Sequence, residues 1–259
     1  MTLAPASAKG DSGASLASAL AWVGLALAVA CGVAELMAGP GYRYGWWGLG
    51  VGIQIIRWGA TIAAAAALGG LAAIILAALR GPRGALGVGV VALAVSLAAL
   101  GPPAWLAYRA KSLPAIHDVT TDTANPPRFV AVLPLRKGAT NSTDYSADTA
   151  ARQKQGYPDI VPAMLDVPAD KALQLAERAA LAMGWSIVAV APQDGRIEAT
   201  ATTPLFGFKD DIVVRVTPEG GGSRVDVRSL SRVGRSDFGV NADRIRAFMK
   251  QLQAERARS

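Results

Sequence analysis

Trp105-Leu106-Ala107-Tyr108-Arg109-Ala110-Lys111 is the stretch on which the architecture turns. Every residue from Ala85 to Tyr108 is uncharged, and beyond it charge is frequent. Up to Tyr108 the charged residues are Lys9, Asp11, Glu35, Arg43, Arg57, Arg80 and Arg83, which leaves thirty-eight for the rest of the chain. An uncharged run long enough to cross a hydrocarbon core has no stable home in water. The chain therefore divides at Tyr108 into a membrane part, 1–108, and a soluble part.

Outward toward the N-terminus, two more uncharged runs appear, Ser12 to Ala34 and Trp58 to Leu79. At 1.5 Å per residue each of the three can span about 30 Å of hydrocarbon. The sequence predicts three transmembrane helices over about 14–36, 54–79 and 85–108. Trp46, Trp47 and Trp58 suit an interfacial belt before the second, and Trp105 and Tyr108 one after the third. Gly24, Ala28 and Gly32 recur at four-residue spacing, as do Gly48 and Gly52, a pattern that lets helices approach closely or self-associate. No acidic or histidine residue lies mid-span except Glu35, near an end, so a proton or ion pathway is poorly supported.

Arg80 and Arg83 crowd the short turn between the second and third helices. By the positive-inside rule that turn faces the cytoplasm of a bacterial inner membrane, which places the C-terminal domain in the periplasm. Arg109, Lys111, Arg43 and Arg57 argue the other way. Leu27-Ala28-Val29-Ala30-Cys31 loosely resembles a lipoprotein cleavage site, but Ala28 stands where leucine is usual. Cleavage at Cys31 would leave two spans and the same exported domain.

The formal charge of +7 divides into +3 before Arg109 and +4 after it. That excess suits anionic headgroups and is too weak and dispersed for nucleic acid. The lone cysteine, Cys31, lies in the first apolar run, so the soluble part has no disulfide or thiol ligand. No cofactor motif is present; Gly220-Gly221-Gly222 is a hairpin tip without the Lys-Ser/Thr of a phosphate loop.

Beyond Tyr108, residues 109–128 form a polar, proline-bearing linker, and 129–259 a soluble domain. Lys137 to Gly156 has no period and reads as a surface loop. Tyr157 to Leu165 reads as an edge strand, and Asp166 to Gly184 as a helix with Leu173, Ala176, Ala180 and Met183 on one face. Four strands follow, Trp185–Ala191, Arg196–Thr203, Asp211–Thr217 and Arg224–Val233. Asn241 caps a last helix striped by Ile245, Phe248, Met249 and Leu252. The expected domain is α+β, in the order β-α-β-β-β-β-α: a mostly antiparallel sheet with helices on one face.

Several segments carry a family likeness: Ile116-His117-Asp118-Val119-Thr120-Thr121-Asp122 with Asn125-Pro126-Pro127; Arg196-Ile197-Glu198-Ala199-Thr200; Gly207-Phe208-Lys209-Asp210-Asp211; and Arg228-Ser229-Leu230-Ser231-Arg232-Val233-Gly234 with Ser236-Asp237. Together they resemble the DUF1499 family, a domain of unknown function in bacterial envelope and plastid proteins. The resemblance covers Ile116 to Leu252 and implies an exported, membrane-tied domain; it transfers no catalytic residue. The element order is also similar to the helix-grip domains of an outer-membrane assembly lipoprotein, a likeness of topology alone.

Candidate chemistry is sparse. His117 is the only histidine and stands beside Asp118. An imidazole oriented by a carboxylate can act as a general base, but neighbours in an extended segment point to opposite sides. A backbone-bonded linker histidine is the plainer reading. Asp118, Asp122, Asp210 and Asp211 offer oxygen ligands for a hard cation if the linker folds back; solvated turn carboxylates are the plain alternative. Arg196, Glu198, Arg215, Arg224, Asp226 and Arg228 alternate onto one sheet face, read here as a solvated face of weak cross-strand pairs. An Arg-rich face can instead bind carboxylate or phosphate groups. Thr121, Lys209 and Asp237 complete the motif residues, and Phe206, Phe208 and Phe238 lie in loops as core caps or a contact patch.

The expected function is a non-enzymatic binding or interaction module at the membrane, its partner the bilayer, an envelope protein or a second copy. The alternative is an envelope hydrolase or ligand-binding enzyme built on His117 and nearby aspartates.

Overall fold

The three apolar runs form helices α1 (Lys9–Arg43), α2 (Leu49–Arg80) and α3 (Arg83–Ser112) in the computed structural model, which describes residues 9–259. The stretches apolar enough to cross a membrane are Gly13–Arg43, Leu49–Leu79 and Arg83–Ser112. At 31, 31 and 30 residues each is about 45 Å long, more than the ~30 Å hydrocarbon thickness. They outrun the expected spans because a helix can continue into the headgroup zone, where charged and proline positions are tolerated. Pro40, Pro102 and Pro103 all lie inside helices.

Small residues set how closely these helices approach. A Cβ on Gly24 would stand 3.3 Å from the Ala66 carbonyl, and one on Gly89 3.1 Å from that of Gly70. Ala17, Ala77 and Ala85 form one buried cluster, and Cys31, Ala63 and Ala99 another. Of the expected small positions, Gly24 and Ala28 sit in the seam, whereas Gly32 and Gly48 have open space beside them. The Trp47 ring lies over Gly41, where any Cβ would collide, and its Nε1 donates to the Ala38 carbonyl at 3.1 Å.

The chain falls into two compact units that divide between Ala107 and Tyr108. In the second unit the meander is β3 (Ser186–Ala191), β4 (Arg196–Thr202), β5 (Lys209–Glu219) and β6 (Gly222–Ser231). Period-two alternation pins its register: Ile197 faces Val214, and Val214 faces Val227. Two short strands, β1 (Asp118–Thr120) and β2 (Ala163–Leu165), pair with β6 end to end, so the order is β1-β6-β5-β4-β3 with β2 also on β6. Every pairing is antiparallel.

Helices α5 (Ala169–Ala182) and α6 (Val240–Ala257) cover one sheet face. Leu173, Leu175, Ala176, Ile245, Phe248 and Leu252 meet Ile197, Ile212, Val214, Val225 and Val227 in the main core, where Trp185 stacks on Phe248 with centroids 5.1 Å apart. The expected α+β sheet with helices on one face is what forms.

Four local expectations change. The stretch read as a polar linker holds β1, and its Ile116 and Val119 lie in the main core. The stretch read as a loop contains α4 (Ala147–Gly156), started by the Ser146 side chain accepting from the Thr149 N–H. The strand read over Tyr157–Leu165 shrinks to β2, since Pro158 and Pro162 have no N–H for a ladder. Asn241 does not cap α6; the Asp237 carboxylate does, accepting from the Gly239 and Asn241 N–H groups at 2.8 and 2.7 Å.

Candidate functional site

Alternation along β4, β5 and β6 sends Glu198, Asp211, Arg215, Asp226, Arg228 and Arg232 to the sheet face opposite the helices. That face is not solvated. Glu198, Asp211 and Asp226 are fully buried and Arg228 is 3% exposed. The chain between β1 and α4 folds over it as a third layer, and Phe129 and Val132 pack on Val213 and Leu230. The solvated-face reading fails because alternation shows which side a residue takes and not what covers that side.

Charges under such a cover need partners, since an unpaired buried charge is costly. Glu198 accepts from three successive backbone N–H groups, Val130, Ala131 and Val132, at 2.9–3.1 Å, and from Arg196 Nε at 3.0 Å. This carboxylate pins the turn that leads into the 3-10 turn Leu133–Arg136. Asp211 accepts from Arg136 at 2.6 Å, from Arg232 at 2.8 Å and from the Thr200 hydroxyl at 2.9 Å. Arg136 and Arg232 then donate to the Asn141 and Leu135 carbonyls of the cover.

Asp226 accepts from Arg215, Arg224 and the Thr121 hydroxyl. Asp122 accepts from the same two arginines at 3.1 Å and from the Ala124 and Asn125 N–H groups. Burial pushes its carboxyl upward, but those N–H groups and the guanidiniums outweigh it and hold Asp122 below its ordinary value.

Arg228 and Asp118 form a bidentate pair at 2.6 and 3.0 Å. The guanidinium also donates to the Pro127 and Thr143 carbonyls, so four of its five N–H groups are committed. Phe129 and Tyr145 flank it, their ring centroids 5.1 and 5.5 Å from Cζ. Beside them opens a groove of about 530 Å³, lined by Asn125, Phe129, Thr143, Tyr145 and Arg228, with exposed Arg128 and Asp144 also lining it. It offers two aromatic walls, charged groups of both signs and one spare buried donor, the makings of a site for a small polar group.

The other predicted residues scatter. Asp210 lies on the helix side with Arg244 at 2.5 Å, so the four aspartates occupy separate arginine pockets and do not converge on one cation. The His117 ring has Nδ1 3.4 Å from the Arg235 carbonyl, and its own carbonyl accepts from Ser231 and Asn241. Lys209 is exposed at the start of β5, and its carbonyl accepts from the Arg232 N–H. Asp237 is raised by burial, with the nearby Asp210 charge adding to this and the α6 N–H groups opposing it.

Arg136 and Gln153 went unread in the sequence. Gln153 is 1% exposed and acts as a stand-in strand for the edge of β1: its amide accepts from the Thr120 N–H at 2.9 Å and donates to the Thr120 carbonyl at 2.6 Å. A glutamine on a polar helix gives no periodic signal, so only the fold reveals it.

Residues 118–252 match the family described as a protein of unknown function, DUF1499. No curated protein matches the chain. The matched segment runs from β1, through the cover and sheet, into α6, and it is over half of the sequence; the chain belongs to the DUF1499 family.

Proposed function

We propose that this chain is a membrane-anchored, non-enzymatic binding module of the bacterial envelope, its soluble unit facing the periplasm. One observation carries the reading. The charged residues that the sequence offers for chemistry are paired to one another and to the cover, and so build a shaped surface in place of a reacting centre. The groove at Asn125, Phe129 and Tyr145 is the part of that surface left open to a ligand. Three apolar helices supply the anchor, and the arginines of the second turn set the orientation.

Two measurements test this. A reporter fused after Ser259 is expected to be active in the periplasm; activity in the cytoplasm overturns the orientation. The full chain, cross-linked in envelopes, is expected to retain a partner or lipid that Asn125→Arg in the groove releases. Retention of nothing, together with turnover of an ester or phosphate substrate that His117→Ala abolishes, establishes the hydrolase instead.

A further inference from the structure

The strand register defines two ends of the soluble unit with different surfaces. At one end lie the C-terminus of β4 and the starts of β5 and β1, joined through Arg232 N–H to the Lys209 carbonyl and Asp237 N–H to the Ile116 carbonyl. The chain enters the unit at this end, where Arg109 bonds Asp243 at 2.6 Å in the first turn of α6. Tyr108, its first residue, ends the third apolar run. The opposite end carries the β5–β6 hairpin with Glu219, the Asp194 turn and Asp166.

The entry end carries the β4–β5 hairpin tip, Pro204-Leu205-Phe206-Gly207-Phe208-Lys209. Leu205 is 41% exposed, and the half-buried rings of Phe206 and Phe208 stack with centroids 5.1 Å apart. Lys209 in the tip, and Arg235, Lys137 and Lys111 elsewhere in the unit, are exposed. The acids of this end are engaged: Asp210 with Arg244, Asp211 with Arg136 and Arg232, Asp237 on α6, and Asp243 with Arg109. An apolar, aromatic tip at an end that also carries exposed cations with no ion pair among the described residues is complementary to an anionic bilayer surface, with rings at headgroup depth and cations at the phosphates.

We propose that the β4–β5 hairpin tip is an interfacial membrane contact that docks the soluble unit onto anionic lipid. The proposal rests on the reading of the three helices as membrane spans and adds a second, reversible attachment. Docking holds the unit against the bilayer and restricts which of its surfaces meets a partner. Its strength varies with lipid charge, at about fivefold in the docked-to-undocked ratio for each cation.

The test uses the full chain in a Cys31→Ala background, reconstituted in vesicles of phosphatidylcholine with or without phosphatidylglycerol. Nitroxide labels are placed singly at Leu205→Cys, at Glu219→Cys on the far hairpin, and at Leu68→Cys on α2. Collision with oxygen and with a water-soluble nickel complex is then measured. The Leu205 label is expected to favour oxygen several-fold over the Glu219 label in phosphatidylglycerol vesicles. Lys209→Gln or Arg235→Gln should each lower the docked-to-undocked ratio that this preference reads about fivefold. A Leu205 label as open to nickel as Glu219, or shielded from both reagents as by a protein partner, overturns the proposal. If the Leu68 label is open to nickel as well, the spans themselves have failed; if it is protected, only the docking has.

Discussion

Replacing Glu198 by glutamine keeps the side-chain volume but turns one acceptor oxygen into a donor. In the native layer both oxygens face donors, the N–H groups of Val130, Ala131 and Val132 and the Arg196 guanidinium. The substitution sets an amide donor against backbone donors in a fully buried site, and should cost roughly 1–3 kcal/mol. Thermal melting of the detergent-solubilised full chain measures the loss, and hydrogen exchange should quicken first at residues 130–132; an unchanged melting temperature would remove Glu198 from its anchoring role. Arg228 and Asp118 make the complementary case. Arg228→Met or Asp118→Leu alone strands a buried charge and should cost roughly 3–5 kcal/mol, while the two together should cost much less than the sum of the singles. A double-mutant cycle on the same melting assay checks this, and additive losses would mean the two groups do not act as a pair.

At the scale of elements, legibility followed periodicity. Ile197, Ala199 and Ala201 alternate with polar neighbours, so β4 and the strands beside it were readable, as was α5 from Leu173, Ala176 and Ala180 at helical spacing. The cover was not. Its residues lie in turns whose hydrogen bonds run to the sheet and not along the chain, and such bonds leave no period. Asp122, Thr121 and Asn125 read as solvated turn formers because their partners, Arg215, Arg224 and Asp226, lie roughly ninety to a hundred residues away. The motif residues Asp118, Glu198, Asp211 and Arg228 were visible in sequence as types, and their shared role in holding the cover was not. Gln153 links the two regimes, since it anchors β1 through side-chain bonds from α4. Gln153→Ala leaves the Thr120 N–H and carbonyl without their partner. Hydrogen exchange at Thr120 should accelerate by at least tenfold, given roughly 1–3 kcal/mol for each stranded buried group. Protection equal to wild type would show that β1 is held by β6 alone.

For the whole soluble unit, a three-layer build with ion pairs in one layer predicts an acid-sensitive and salt-tolerant fold. Salt screens exposed charges, but pairs at contact distance under a protein layer are screened far less. Acid acts differently because it removes the carboxylate charge itself. Asp122 is held low by the Asn125 and Ala124 N–H groups and by Arg224 and Arg215. Asp159 is held low chiefly by its hydrogen bonds from Arg246. For each, the unfolded chain binds the proton more readily, with a value of about 3.9. Their contribution is therefore complete above that value and is lost as pH falls through it toward the lower folded value. Asp237 and, within the ion-paired layer itself, Asp118 have the opposite sign. Burial raises each carboxyl, so its contribution is present below the unfolded value and is lost as pH rises through the folded one. The melting temperature of the full chain in detergent should thus hold nearly level at neutral pH and begin to fall below about pH 4 as Asp122 and Asp159 take up protons. Asp122→Asn should lower the neutral plateau and flatten the acid drop, since the group that loses charge there is gone. Asp237→Asn should leave the acid drop intact. If Asp122→Asn melts lower at every pH with an unchanged slope, Asp122 holds the cover by shape alone and its charge contributes nothing.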